Sequence, residues 1–592
     1  MTVVENEARF YALSRYSYNS ISIESEKIQN ASHGGSKKEQ RFGEFRSQTS
    51  RGRDFRGSRG YHGLVIPFII ETSCKGCYVC DEIGHVSWDC PRWVIQATHI
   101  LSVRGRGATK GTRDKGSGAC GGGRRATQAV GGREATQAAG GHVILTWGIL
   151  CVRAAECVDY EAISCRKHTA FLTDFGGTGD GNTSNTEAFR KAISELRKFG
   201  TDGGAQLIVP PGKWLTGPFN LTSNFTLYIH QDAVILASQD EAEWNLIPPL
   251  PSYGTGRDAP GPRFISLIFG TNLTDVVITG GNGTIDSQGQ EWWTKFRQGQ
   301  LKNTRPYLIE IMFSDHVQIS NLILINSPSW NVHPVYSSSV VIKGLTILAP
   351  IKSPNTDGIN PDSCSNTRIE DCFIVSGDDC IAVKSGWDEY GIAFGMPTQH
   401  LIIRNLTCIS PDSAVIALGS EMSGGIQNVR AEHITAISSE SGLRIKTSIG
   451  RGAYVKDIFV RGMTLQTMKY TFWMTGDYGS HPDDHYDPKA LPVIQGINFK
   501  DVVSKNVTIA GKLVGIDGDT FTGICMSNVA IELSEHGKKL PWNCSNIQGV
   551  SSQVSPQPCA LLPDKKIDCP FPTDTLPVDK IYFQTCAAAS LH

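Results

Sequence analysis

Apolar positions in the second part of this 592-residue chain follow two periods, one helical and brief, the other extended and repeated. Between Asn185 and Phe199, residues Ala188, Phe189, Ala192, Ile193 and Leu196 recur at helical spacing, which predicts one amphipathic helix after the glycine-rich stretch 174–181. Beyond it helix signals nearly vanish, and short β-branched runs end in Asn, Gly or Asp. Aligned on that turn position, the runs place Asn321, Gly344, Asp371, Asn405, His433, Gly462, Asp501 and Asn528 in one slot, separated by 23, 27, 34, 28, 29, 39 and 27 residues. Irregular periods in the twenties and thirties predict an all-β chain wound as a right-handed, single-stranded parallel β-helix with loops of variable length. A β-sandwich also has many short strands, but it gives no reason for turn residues in a common phase.

The first part reads differently. Residues 1–73 are polar and basic, with an Arg/Gly/Ser tract at 51–60 that buries too little apolar surface to order itself. Residues 93–156 are a low-complexity linker containing a short duplication at 125–141, and the globular composition begins at about residue 157. The formal net charge of -1 hides a division: residues 1–150 hold 21 Lys/Arg against 13 Asp/Glu, a balance of +8 that leaves -9 for the remainder. No apolar run reaches the roughly 18 to 20 residues of a spanning helix, so no membrane span is expected. The first 30 residues lack the profile of a secretory signal. The apolar run Val143 to Val152, followed by Ala154 and Ala155, has that profile far from the N-terminus; a buried strand is the other reading.

Cysteines divide in the same way, four lying between Cys74 and Cys90 and nine from Cys364 to Cys586, the latter resembling an oxidised framework. Sequons at Asn182, Asn220, Asn224, Asn272, Asn282, Asn405, Asn506 and Asn543 permit glycosylation on a secretory route.

The candidate chemistry lies in the repeat. Asp357, Asp378 and Asp379 fall within 23 residues. Adjacent carboxylates cannot all ionise cheaply, so at least one should hold its proton near neutrality, and a neutral acid beside charged carboxylates suits glycosidic cleavage. Asp357 lies 13 residues after its slot, Asp378 7, Ala414 9 and Arg444 11, so stacked coils about 4.8 Å apart should gather them in one groove. Singly, such residues are as readily turn formers, a solvated face or, for Tyr470 beside Phe472 and Trp473, core.

In that order, Asn355-Thr356-Asp357, Gly377-Asp378-Asp379 and Arg444-Ile445-Lys446 resemble the polygalacturonases, glycoside hydrolase family 28, over residues 157–592. The resemblance implies a pectin-lyase-like solenoid that needs no cofactor for hydrolysis and cleaves α-1,4-galacturonosidic bonds of pectin with inversion outside the cell, in the cell wall. It implies Asp378 as general acid, Asp357 and Asp379 as the residues holding water, Arg444 and Lys446 as partners of the uronate carboxylate, and Asn355 and Tyr470 as subsite residues. The family's usual Gly-His-Gly is replaced here by Ser413-Ala414-Val415, which points to altered handling of substrate. Carboxylates one coil apart are closer than the roughly 6.5–9.5 Å of inverting enzymes, which by itself favours retention. Cys380 and Cys408 fall on adjacent coils, placed for a disulfide near the groove, while Cys544, Cys559, Cys569 and Cys586 are placed to secure the C-terminal tail; the sequence does not fix the pairings. His481 and His485 read as a loop without metal. A monomer is expected.

Residues 74–92 carry Cys77, Cys80, His85 and Cys90 at the spacing of a tetrahedral zinc knuckle, with Tyr78 and Trp88 as aromatic neighbours. Over residues 40–125 this resembles nucleocapsid-like segments of retroelement Gag polyproteins, which implies single-stranded nucleic acid as a partner. A zinc knuckle and a secreted hydrolase belong to different redox compartments, which suggests two joined coding units or a faulty gene model. A nucleic-acid-binding protein with a catalytically weak β-helix is therefore the alternative function, and a calcium-dependent pectate lyase a third.

Overall fold

In the computed structural model, residues 166–535, 537 and 540–583 are described; the zinc-ligand candidates Cys77, Cys80, His85 and Cys90, the signal-like run and Cys586 lie outside them. All eight turn slots adopt left-handed backbone, with φ from 51° at Asn405 to 67° at Gly462. That conformation excludes most side chains and admits Gly, Asn and Asp, which is why those residues punctuate the runs. Asn side chains also join neighbouring slots: Asn405 Nδ2 donates to Asp371 Oδ1 at 2.9 Å, and Asn528 Nδ2 to Asp501 Oδ1 at 2.6 Å.

Each slot joins two faces of a right-handed parallel β-helix. The first face stacks strands such as Asp315–Ser320, Ser338–Lys343 and Ser365–Glu370, and the second stacks Leu322–Ile325, Thr346–Leu348 and Phe373–Val375. The third face stacks Ile309–Met312, Val332–Val335, Ile381–Val383, Ala414–Leu418 and Ser441–Lys446. A second column of left-handed residues, including His316, Ser339, Asn366, His400 and Asn428, turns the third face back into the first. Its mixed residue types hid it from the turn pattern.

The third face is held by one inward ladder in strict register: Ile309, Val332, Ile359, Ile381, Ile416, Leu443 and Phe472. Each is 0–2% exposed. Burial of each such side chain contributes about 1.5–3 kcal/mol. The expected helix forms as α1, Thr186–Leu196, followed by a 3₁₀ turn Arg197–Phe199; its Phe189 stacks on Phe219 at 4.3 Å, covering the open end of the first coils. Two short helices that the periodicity did not show, α2 (Gln290–Arg297) and α3 (Asp388–Phe394), lie in loops between coils.

Cys380 and Cys408 form the expected disulfide, and Cys544 pairs with Cys559. Cys569 pairs with Cys525 on the last full coils rather than within the tail. Cys364 and Cys372 are buried free thiols. Among the described residues, no helix is long and apolar enough to cross a membrane.

The left-handed slots should respond to substitution by conformation rather than by contact. Asn528→Ala is expected to lower unfolding stability by about 1–2 kcal/mol, and Asn528→Gly by less, in denaturant titrations. Equal losses would show that the amide bond to Asp501, not the backbone, governs the corner.

Candidate active site

Because the inward ladder is in register, residues at a fixed offset from it form columns across coils. Two residues before it stand Trp330, Asp357, Asp379, Ala414, Ser441 and Tyr470; one after it come Glu310, His333, Asn360, Ala382, Ala417, Arg444 and Trp473; three after it come Asp362, Lys384, Lys446 and Thr475. Strand alternation turns the last two columns outward. The motifs separated by up to ninety residues are thereby brought to one surface.

Asp379 is 2% exposed and accepts from Lys446 Nζ at 2.5 Å, Ser413 Oγ at 2.6 Å and the Ala414 N–H at 3.0 Å. Burial pushes its pKa up, but Lys446 and these hydrogen bonds prevail and hold it below the usual carboxylate value. Asp357, 3% exposed, accepts from Asn360 Nδ2 at 2.8 Å and stands 3.9 Å from Lys384 Nζ. Here burial, followed by the charge of Asp378, raises the pKa to about 7. Asp378 is less buried than either; its Oδ1 accepts the Asp379 N–H at 2.9 Å and its Oδ2 accepts from Asn355 Nδ2 at 3.4 Å. One carboxyl of the cluster thus keeps its proton up to near pH 7, and it is Asp357, which is as buried as Asp379 but has no ammonium in direct contact. Gly377 fixes the turn by space: a Cβ there would lie 2.2 Å from the Ser353 carbonyl oxygen.

Lys446 is 5% exposed and engaged by Asp379. The Arg444 guanidinium lies 3.6 Å over the Trp473 ring and 5.6 Å from that of Tyr478, and donates to Glu440 Oε2 at 3.3 Å. Tyr470 stands apart, three coils from Asp379 along the same column, with its ring 4.5 Å from Trp473. Ala414 is fully buried against Ala382 and Ala417 and reaches Asp379 only through its backbone N–H. Among the described residues, no cluster of three or more His, Cys, Asp and Glu side chains is arranged to hold a metal. His481 pairs with Asp388 rather than facing solvent freely, and His485 is exposed.

The profile of glycosyl hydrolases family 28 matches residues 205–556. The chain belongs to that family. It is 67% identical over 439 residues to a probable polygalacturonase of Vitis vinifera, covering 74% of this chain and 89% of the relative. A polygalacturonase of Chamaecyparis obtusa is 29% identical over 64% of this chain and 70% of the relative. Among solved structures, an exopolygalacturonase of Thermotoga maritima superposes with a TM-score of 0.57 at 27% identity, covering 66% of this chain and 92% of that one. The protein is therefore a glycoside hydrolase.

This family 28 hydrolase has further groove residues that no motif reading named. Lys384, in the Lys446 column, bonds Glu421 at 2.9 Å, and Glu421 also pairs with Arg257 at 2.8 Å. Arg305, fully buried, grips Asp258 through two nitrogens and donates to Asn355 Oδ1 at 2.8 Å. That bond orients the Asn355 amide so that its Nδ2 faces Asp378. Extending the Lys446 register back two coils would have found Lys384; Glu421, Arg257 and Arg305 come from loops and leave no periodic signal.

Asp357 links the site to stability. Its folded pKa of about 7 exceeds the ordinary 3.8, so the folded state keeps a proton that the unfolded chain releases as pH rises from about 4 to 7, and stability falls through that window. The loss is about 4 kcal/mol at full development. Asp357→Asn should therefore raise Tm at pH 8, with the gain shrinking toward pH 4; a gain independent of pH would refute the assignment of the proton to this residue.

Proposed function

We propose that the enzyme hydrolyses α-1,4-galacturonosidic bonds of pectin by general acid/base catalysis with inversion. The observation that carries this reading is the convergence of Asp357, Asp378 and Asp379 with Lys446 and Arg444 on one face. Asp378, the most accessible carboxyl, protonates the departing glycosidic oxygen. Asp357 and Asp379 hold the attacking water, and Asp379, kept charged through Lys446, takes its proton. The proton needed by the acid is already within the cluster, one coil away on Asp357. The ammonium of Lys446 has three donors, of which Asp379 takes one, leaving others for a uronate carboxylate beside the Arg444 fork. Asn355 and the Tyr470–Trp473 pair complete the sugar subsites.

Family membership and the polygalacturonase relatives support a pectic substrate. Ala414 supports a modified pectin rather than plain polygalacturonate, since the groove lacks one protonatable ring. Three disulfides and the exposure of seven of the eight sequon asparagines, all but the half-buried Asn224, support an extracellular, cell-wall location and glycosylation.

Asp378→Asn should lower kcat on galacturonan by about a thousandfold or more while leaving the circular dichroism spectrum unchanged. The parent should release saturated reducing ends whose first-formed anomer, read by NMR, is inverted. An unsaturated, ultraviolet-absorbing product would establish elimination instead.

The spacing of Cys77, Cys80, His85 and Cys90 supports a separate reading for residues 74–92 as a zinc-binding segment that engages single-stranded nucleic acid. One zinc per chain, lost in Cys77→Ser, with salt-sensitive binding of single-stranded nucleic acid, is the expected result. Absence of stoichiometric zinc would refute it.

A further inference from the structure

The outward column that carries Arg444 continues past Trp473. Strand Ser441–Lys446 pairs with Tyr454–Thr475, that strand with Val493–Val514, and that one with Trp542–Ser545, so Arg444, Trp473, Lys512 and Asn543 stand in direct register on successive coils. Three strand spacings, about 14 Å, separate Arg444 from Asn543. The side chains between them suit an acidic polysaccharide. Arg444, from the coil before, lies 3.6 Å over the Trp473 ring; Lys512, from the coil after, lies 5.3 Å from it and Lys469 5.9 Å. All three cations reach solvent.

Asn543 begins an Asn-Cys-Ser sequon, and its place distinguishes it from the other seven. Asn182 precedes α1, and Asn220, Asn224 and Asn272 line one cleft beside that helix, at the N-terminal end of the solenoid. Asn282, Asn405 and Asn506 stand at left-handed corners, between faces. Asn543 alone lies in a column of the groove. Its side chain is exposed, and strand alternation turns it outward in line with Lys512.

The backbone that carries Asn543 is fixed on both sides. Trp542 is buried, fills the space above Gly511, where a Cβ would lie 2.4 Å from its ring, and donates its indole N–H to the Pro556 carbonyl at 3.0 Å. On the other side Cys544 is bonded to Cys559, and the Gly515 N–H donates to the Ser545 carbonyl at 2.9 Å. A group attached to Asn543 is therefore rooted on a strand of the solenoid, one coil from Lys512.

We propose that Asn543 carries an N-linked oligosaccharide that stands across the C-terminal end of the groove and limits how far a galacturonan chain extends along Lys512. The inference rests on the hydrolase reading and the secretory route proposed above. In the attachment, Asn543 Nδ2 loses a proton and bonds the anomeric carbon of the oligosaccharide; the C–O bond from that carbon to a polyprenyl diphosphate breaks, and the diphosphate leaves with the electron pair. The first sugar is then rooted one strand spacing, about 4.8 Å, from Lys512, where it competes for the space of a uronate facing that ammonium. Short chains that end over Trp473 never meet it. A long chain must leave the column there and forgo the Lys512 contact.

The test uses the full chain, directed by an added leader into the secretory route of a eukaryotic host, with a galacturonate tetramer and decamer as substrates. Peptide mass spectrometry should find a glycan on Asn543; an unmodified Asn543 would overturn the proposal. Ser545→Ala removes the sequon at an exposed side chain and keeps Asn543 itself. In that variant KM for the decamer should fall about fivefold, as one regained exposed ion pair implies, with kcat and the tetramer KM unchanged. Trimming the folded parent with an endoglycosidase should move the decamer KM in the same direction without any substitution. Asn182→Gln, at the far end of the solenoid, should leave both KM values at those of the parent. A decamer KM unaltered by both Ser545→Ala and trimming would overturn the proposal, as would an equal change for tetramer and decamer. Absence of cleavage by every form, trimmed or not, would instead overturn the hydrolase reading.

Discussion

Coil register is the constraint on which the chemistry of this molecule depends. A parallel ladder that aligns Ile359, Ile381, Ile416, Leu443 and Phe472 decides at once which side chains form the core and which form the groove. A slip of one residue in the coil of Leu443 would turn Arg444 and Lys446 into the apolar interior and Ile445 to the surface. Burial of the ladder therefore enforces the site: the free energy that seats the isoleucines also sets Lys446 against Asp379. The Cys380–Cys408 bond ties the strand that follows Asp379 directly to the neighbouring coil.

Electrostatics within the groove follow from that enforced proximity. Asp357, Asp379 and the cations Lys384 and Lys446 are packed where water hardly reaches, so each charge is tolerable only through a partner. Asp379 has a full set of donors and stays charged; Asp357, with Lys384 drawn away toward Glu421, keeps its proton up to near pH 7. The unequal sharing of cations separates the carboxyls into a base and a proton store. The same arrangement makes the folded state less stable near neutrality, a cost that falls on the site rather than on the β-helix.

Much of the architecture was legible because left-handed corners are a demand of the backbone that few residues meet. Asn321, Asp371, Asn405 and Asn528 show the corner in the sequence, whereas the second corner is carried by His316, Ser339 and His400, whose residue types say nothing. The helix at Ala188 to Leu196 was equally plain, since its apolar face is periodic. Asp357, Asp378, Asp379, Arg444 and Lys446 were identifiable as ordered triplets. The residues that surround them were not: Glu421, Arg305 and Arg257 come from loops of irregular length and share no common phase. The pairing of Cys569 with Cys525 likewise depended on where the tail turns back.

The most direct examination of this account is a crystal structure of the Asp378→Asn enzyme with a galacturonate oligomer bound. One uronate carboxylate should lie within hydrogen-bond distance of both Arg444 and Lys446, with the glycosidic oxygen facing residue 378 and a water held between Asp357 and Asp379. A sugar bound on another face, or one whose scissile bond lies beyond reach of all three positions, would contradict it.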